Sequence, residues 1–161
     1  MNKSEIRIHP FRPHQAAEAS ALITAVFDEF VGCDYRLEGK QTFYNYITPQ
    51  AIQERHAAGN LLCVAQVEYK IIGIIEIRDL CHISLLFVHK QFQRKGIARR
   101  LWETSLLECT AQSPGIELFT VNASPYSEKI YRRLGFHPSA ELNEKDGIKY
   151  IPMSIKIPPR E

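Results

Sequence analysis

The sequence predicts one mixed α/β domain, and three observations carry that prediction. Short apolar runs rich in β-branched residues, such as Ile71 to Ile77, read as buried strands. Longer stretches between them place apolar residues at helical spacing, as Leu22, Ile23, Val26, Phe27 and Phe30 do. The junctions carry turn and cap signals, among them Thr48-Pro49, Gly59, Ser113-Pro114-Gly115 and Gly135. A chain of 161 residues is long enough for one sizeable core. No repeat, linker or low-complexity tract divides it, so residues 1–161 are taken as a single domain.

Ile6 to Pro10 alternates like a short first strand and is ended by the Pro10 to Pro13 region. A helical stripe runs on from His14 and stops at Gly32. A second helical segment is expected over Gln41 to Ile47. Thr48 then caps a short helix that has Pro49 at its first position and reaches His56, with Gly59 as its stop. Leu61 to Val67 and Lys70 to Arg78 read as two strands joined near Glu68-Tyr69, without the Asn-Gly or Asp-Gly pair that fixes a two-residue hairpin. Both faces of the second strand are largely apolar, which marks it as central. Ile83 to Val88 is a further buried strand. Ile97 to Cys109 is an amphipathic helix whose face is Ala98, Leu101, Trp102, Ser105, Leu106 and Cys109. Ile116 to Val121 forms the next strand. Ser124 as N-cap with Pro125 behind it opens a helix through Leu134, which Gly135 ends. Ile148 to Ile157 alternates as the closing strand, where Pro152 points to an edge or a bulge.

Composition narrows the functional class. A hydrophobic content of 45% and a charged content of 24% are those of a soluble globular protein. The apolar runs are too short for a membrane span, and Met1 to Glu5 has no apolar signal region, so cytoplasm is the expected compartment. Cys33, Cys63, Cys81 and Cys109 show no C-x-x-C pairing, hence neither a zinc pattern nor a disulfide framework; reduced thiols are expected. The net charge of +2 carries no message about partners, but its clustering does. Lys90, Arg94, Lys95, Arg99 and Arg100 lie between His89 and Arg100 with no acidic residue among them. They surround Gly96, where a strand feeds a helix and leaves free N–H groups at the helix start. That is an anion site. No G-x-x-x-x-G-K-[ST] is present, which excludes a standard P-loop, and no recognition motif turns the arginines, Arg132-Arg133 included, into a nucleic-acid surface.

Gln93-Arg94-Lys95-Gly96-Ile97-Ala98 resembles the Q/R-x-x-G-x-G/A pyrophosphate loop of the GNAT superfamily of acetyl-CoA-dependent N-acetyltransferases. Ile130-Tyr131-Arg132-Arg133-Leu134-Gly135-Phe136 resembles the tyrosine-bearing helix that ends in the family's L-G-F signature. Asn122 and the closing Tyr150-Ile151-Pro152-Met153 strand also fit, in the right order, from about Leu61 to Ile157. The resemblance implies a GNAT-like fold: a mostly antiparallel twisted sheet, splayed at the cofactor site and flanked by helices on both faces.

It also implies acetyl-CoA as co-substrate, with no metal. The pantetheine arm would run along the backbone of Leu86, Phe87 and Val88. The pyrophosphate would lie on Gln93, Arg94, Lys95, Gly96, Ile97, Ala98 and Arg99, with charge added by Arg94 and Lys95. Asn122 would bond the arm, with Ser124 beside it. Tyr131 would protonate the departing thiolate or hydrogen-bond to it, and the Val88 N–H would stabilise the thioester oxygen. An alkylamine is neutral in only about one molecule in 2,500 at pH 7, a cost of about 4.6 kcal/mol, so a general base has something to gain. Counting back from Gln93, His82 falls where histone-acetylating members carry their glutamate base, and Glu76 on the neighbouring strand is the competing base.

The expected activity is acetyl transfer to a primary amine, of a small molecule or a peptide, by direct attack; the alternative is a non-catalytic acyl-CoA sensor or assembly module. The acceptor would be chosen between Glu29 and Tyr46, where Tyr35, Phe43, Tyr44 and Tyr46 could wall a pocket. Asp28, Glu29, Asp34 and Glu38 are either a solvated face or a lip that attracts a cation. A monomer or a homodimer through the last strands is expected, without nucleic-acid or membrane partners.

Overall fold

The structure, a computed structural model, describes residues 4–158. In chain order it runs β1 (Ile6–Pro10), α1 (Ala16–Val26), α2 (Leu37–Tyr46), α3 (Pro49–Ala57), β2 (Leu61–Val67), β3 (Lys70–Arg78), β4 (His82–Val88), α4 (Ile97–Gln112), β5 (Leu118–Ala123), α5 (Glu128–Arg133), β6 (His137–Pro138), β7 (Asn143–Lys145) and β8 (Ile148–Lys156). The strands make one sheet in the order β1-β2-β3-β4-β5-β8-β6, with β7 paired to β8. Every pairing is antiparallel except β4 with β5. This is the mixed α/β architecture expected, with an open sheet flanked by helices.

The two faces of the sheet bury two separate sets of side chains. On one face α4 lays Ile97, Leu101, Trp102 and Cys109 on Ile72, Ile75 and Ile77 of β3, and Trp102 meets Phe119 and Phe136 edge-on at 5.2 and 5.1 Å. On the other, α1 presents Ala19, Leu22, Ile23 and Val26 to Val64, Ile71, Ile74 and Leu85. The strand β3 is therefore covered on both sides, as its doubly apolar sequence requires. Thr48 caps α3 as expected, its side chain accepting from the Ala51 N–H at 3.1 Å. Beyond Val26 the helix α1 widens into a π-helical turn, Phe27–Val31, a feature that recurs at functional sites.

Several boundaries differ from the sequence reading. The helix α2 starts at Leu37 rather than Gln41, and α4 continues past Cys109 to Gln112. Ser124 does not cap α5 directly: it accepts from the Ser127 N–H at 3.2 Å, closing a turn over Pro125–Ser127 before the helix begins at Glu128. Asn122 lies within β5 instead of after it. Pro152 is not on an edge, since β8 runs between β5 and β6. Its carbonyl accepts from Ser139 N–H on the side where β6 has ended, so the missing donor costs no regular ladder bond. Cys63 and Cys109 are buried free thiols, Cys81 is half-buried and Cys33 exposed. Among the described residues no helix is long and apolar enough to cross a membrane.

Candidate active site

The site begins where β4 and β5 part. Their parallel pairing covers only His82 with Thr120 and Ile83 with Val121. Next comes a bulge: β3 pairs Ile77 with Ile83 and Glu76 with Leu85, leaving Ser84 as the extra residue. A bulge adds twist and bends its strand, which swings the rest of β4 away from β5. Residues opposed in an antiparallel ladder alternate between bonded and non-bonded pairs. His89 N–H donates to the Ile72 carbonyl at 2.8 Å, so Val88 and Leu86, one and three residues earlier, point their N–H and C=O groups the other way, into the gap. From that gap Gln93 Nε2 donates to the Val88 carbonyl at 3.1 Å. An unpaired strand edge in a cleft of about 650 Å³ is open to an extended amide chain.

The edge leads to the basic loop. Arg94 and Gly96 both have left-handed backbone, with φ of 62° and 78°. The first bond of α4 runs from Arg100 N–H to the Gly96 carbonyl at 3.1 Å, leaving the preceding helix-start N–H groups free to face the cleft. A Cβ on Gly96 would meet nothing within 4 Å, so the space before these N–H groups is open. Arg94 and Arg99 line the cleft from this side, and Lys129 and Arg133 from α5. The positive mouth and the helix start together form an anion site for more than one phosphate. Lys95 is the exception to expectation: it does not line the cleft, and its ammonium sits 5.3 Å from the ring centre of Phe92, which does.

On the opposite wall α5 holds Tyr131, whose ring packs edge-on against Phe136 at 5.7 Å. It is 5% exposed and lines the cleft. Burial pushes its phenol well above the ordinary value, so it keeps its proton at neutral pH. Leu86, Phe87, Val88, Gln93, Ile97, Ala98, Asn122 and Ser124 line the same cleft.

The two candidate bases do not. His82 sits at the closed end of the strand pair, with Nδ1 2.7 Å from Thr120 Oγ1. Burial, and then Arg78, lower its pKa and leave the ring neutral. Glu76 is fully buried and faces α3. Arg55 Nε and Nη2 donate to its two oxygens at 2.7 and 3.1 Å, and Tyr46, Asn60 and Ser84 donate to Oε2 at 3.1, 3.0 and 3.1 Å. Held by this group on the α3 side, Glu76 is not among the residues that line the cleft, which corrects the expectation that it faces it.

The far end of the cleft is walled by Val26, Val31, Tyr35, Phe43 and Phe87. Phe27 stacks on Phe43 at 4.1 Å and meets Tyr35 edge-on at 4.9 Å, which fixes both rings. Of the four aromatic residues expected here, Tyr44 instead bonds Asp28, and Tyr46 turns into the Glu76 group. Of the two readings of the acidic residues, the solvated face fits: Glu29 pairs with Lys90 at 3.1 Å, and none of Asp28, Glu29, Asp34 or Glu38 lines the cleft. Sequence reasoning missed Val26, Val31, Ser84, Tyr126, Lys129 and Arg133 at this site. Only the β-bulge and the π-turn bring the first three there, and neither has a sequence signature.

Residues 31–157 match the family described as the acetyltransferase (GNAT) domain. The chain belongs to the GNAT acetyltransferase family. Solved structures of family members share its fold. A GCN5-related N-acetyltransferase from Rhodopseudomonas palustris superposes with a TM-score of 0.78 at 20% identity, over 98% of this chain and 99% of that one. The PaiA N-acetyltransferase from Thermoplasma acidophilum, solved with coenzyme A, gives 0.76 at 16% identity, over 95% and 99%. An aminoglycoside 6'-N-acetyltransferase, also with coenzyme A, gives 0.70 at 14%, over 96% and 99%. Comparison with curated proteins by sequence gives no match. At these identities the likeness is one of fold, and the site's own geometry has to supply the rest.

Proposed function

We propose that the chain is an acetyl-CoA-dependent N-acetyltransferase acting on a primary amine by direct attack within a ternary complex. One observation carries the reading: an unpaired strand edge leads from a glycine-turned, basic helix start to a buried phenol on the facing wall. The two relatives solved with coenzyme A support the choice of co-substrate. Acetyl-CoA supplies an activated acetyl group as a thioester. Leu86 and Val88 bind the pantetheine amides as a neighbouring strand would, and the N–H groups from Arg94 to Ala98 hold the pyrophosphate. Binding there displaces the Gln93 side chain from the Val88 carbonyl. The arm reaches Val88 before Leu86 on its way from the pyrophosphate, so the Leu86 N–H, and not that of Val88, faces the thioester oxygen as charge develops on it.

The amine nitrogen forms the new C–N bond, the C–S bond breaks, and the proton that the nitrogen gives up ends, through solvent, on the departing sulfur, which leaves as the thiol. Tyr131 donates a hydrogen bond to the departing thiolate. A phenol raised above about 10 is a weaker acid than a thiol near 8.5, so Tyr131 stabilises the thiolate without losing its proton for long. With His82 and Glu76 both turned from the cleft, the amine enters already neutral. The rate, as kcat/KM, therefore rises with pH toward the acceptor's own pKa, and His82→Ala leaves that profile unchanged. The test is thiol release from acetyl-CoA across a panel of primary amines, alongside calorimetric titration of acetyl-CoA. Amine-dependent thiol release supports the proposal. Binding without turnover for any amine overturns it in favour of the sensor.

A further inference from the structure

We infer that the acceptor is a monoamine carried on an apolar body, with its nitrogen seated against Ser84 Oγ. The inference rests on the acyltransfer reading and specifies its substrate class. Among the described residues that line the cleft there is no Asp or Glu. The charged residues along it are Arg94, Arg99, Lys129 and Arg133, all basic and all at the phosphate end. A polyamine or an aminoglycoside would bring several ammonium groups into this space, each stripped of water with no counter-charge. The carboxylates nearest the rim are committed elsewhere, Asp28 to Tyr44 and Glu29 to Lys90.

The acceptor end offers instead the apolar surfaces of Val26, Val31, Phe43 and Phe87, with Phe43 held flat by Phe27. One polar group interrupts it. A hydroxyl has a single proton, and Ser84 directs its own at Glu76 Oε2, 3.1 Å away. Glu76, in its salt bridge with Arg55, is the acceptor of that bond. Ser84 lines the cleft with its proton engaged by Glu76, so what it keeps for a ligand is lone pairs, which recognise an N–H. The bulge in β4 falls at Ser84, which lines the cleft two residues before Leu86 on the same strand. Glu76 and Arg55 thus act on the acceptor through Ser84 as positioning residues, without touching it.

The test is steady-state thiol release by the full chain with acetyl-CoA and four kinds of acceptor: straight alkylamines from propyl to hexyl, phenethylamine, spermidine and kanamycin. For the alkylamines, kcat/KM is expected to climb by about fourfold per methylene. Phenethylamine should exceed both polycations by about 100-fold or more. Ser84→Ala should raise the KM for hexylamine by about tenfold while the KM for acetyl-CoA stays within about twofold. A flat alkyl series, a preference for spermidine or kanamycin, or a Ser84→Ala effect confined to acetyl-CoA overturns this inference and leaves acyl transfer standing. Acetyl-CoA binding with no turnover on any acceptor overturns both.

Discussion

Tyr131 and the Glu76–Arg55 pair show how burial assigns opposite roles to ionisable side chains. Tyr131 is buried without a charged partner, so its phenol is pushed up and stays protonated. Activity that depends on that proton persists as pH rises through about 10, the ordinary phenol value, and is lost only above it. Tyr131→Phe is expected to lower kcat by about 10- to 100-fold, the worth of one hydrogen bond to a charged group, with the KM for acetyl-CoA nearly unchanged. Pre-steady-state and steady-state thiol release would measure it. Glu76 is buried with a partner and touches no substrate, and its pairing with Arg55 also holds the local fold. Arg55→Ala would strand its carboxylate and should cost about 3–5 kcal/mol in urea denaturation, whereas Arg55→Met with Glu76→Leu should be close to neutral in stability. Nothing in the local sequence distinguishes these two fates. Arg55 lies 21 residues from Glu76 along the chain, and only the docking of α3 on β3 joins them.

The elements around the acceptor end are fixed by one close approach. Arg36 N–H donates to the Gly147 carbonyl at 2.8 Å, and Tyr35 bridges to Ile148, so the entry to α2 is clamped on the turn between β7 and β8. Gly39 lies against that turn so tightly that a Cβ would come within 2.4 Å of the Gly147 oxygen. Gly39→Ala must push α2 outward, taking Phe43 with it. A loss of about 1–3 kcal/mol in thermal unfolding is expected, with a raised KM for the amine and unchanged acetyl-CoA affinity. The strand β7 that helps build this corner, and β6 farther along β8, were invisible in the sequence because they are short and polar: His137–Pro138 and Asn143–Lys145 have no apolar alternation to detect. The long apolar strands β2 and β3, by contrast, were legible to the residue, since burial on both faces leaves a continuous signal. Cap chemistry did as well at Thr48 and less well at Ser124, whose hydroxyl closes a turn one step before the helix.

Across the whole molecule, the division of labour follows the splay of the sheet. The stretch from β4 to α5 is the one in which motifs, order and spacing could be read, inside a family match that runs over residues 31–157. Gly96, Asn122 and Tyr131 fall at the cleft as their positions implied. The segment from α1 to α3 shapes the acceptor end, and there a stripe of aromatic residues said where the pocket would be but not which rings would face it. Side-chain direction after a π-turn and a bulge depends on backbone geometry that no local pattern encodes. The central claim is that acetyl-CoA lies in the cleft between β4 and β5 with its pyrophosphate at Gly96. Isothermal titration of acetyl-CoA into the wild-type chain and into Gly96→Val tests it most directly. A side chain at this left-handed position would occupy the phosphate's space and strain the turn. The account predicts saturable binding to the wild type and an affinity weakened by at least about tenfold in the variant. No binding to the wild type, or equal affinity for both, would contradict it.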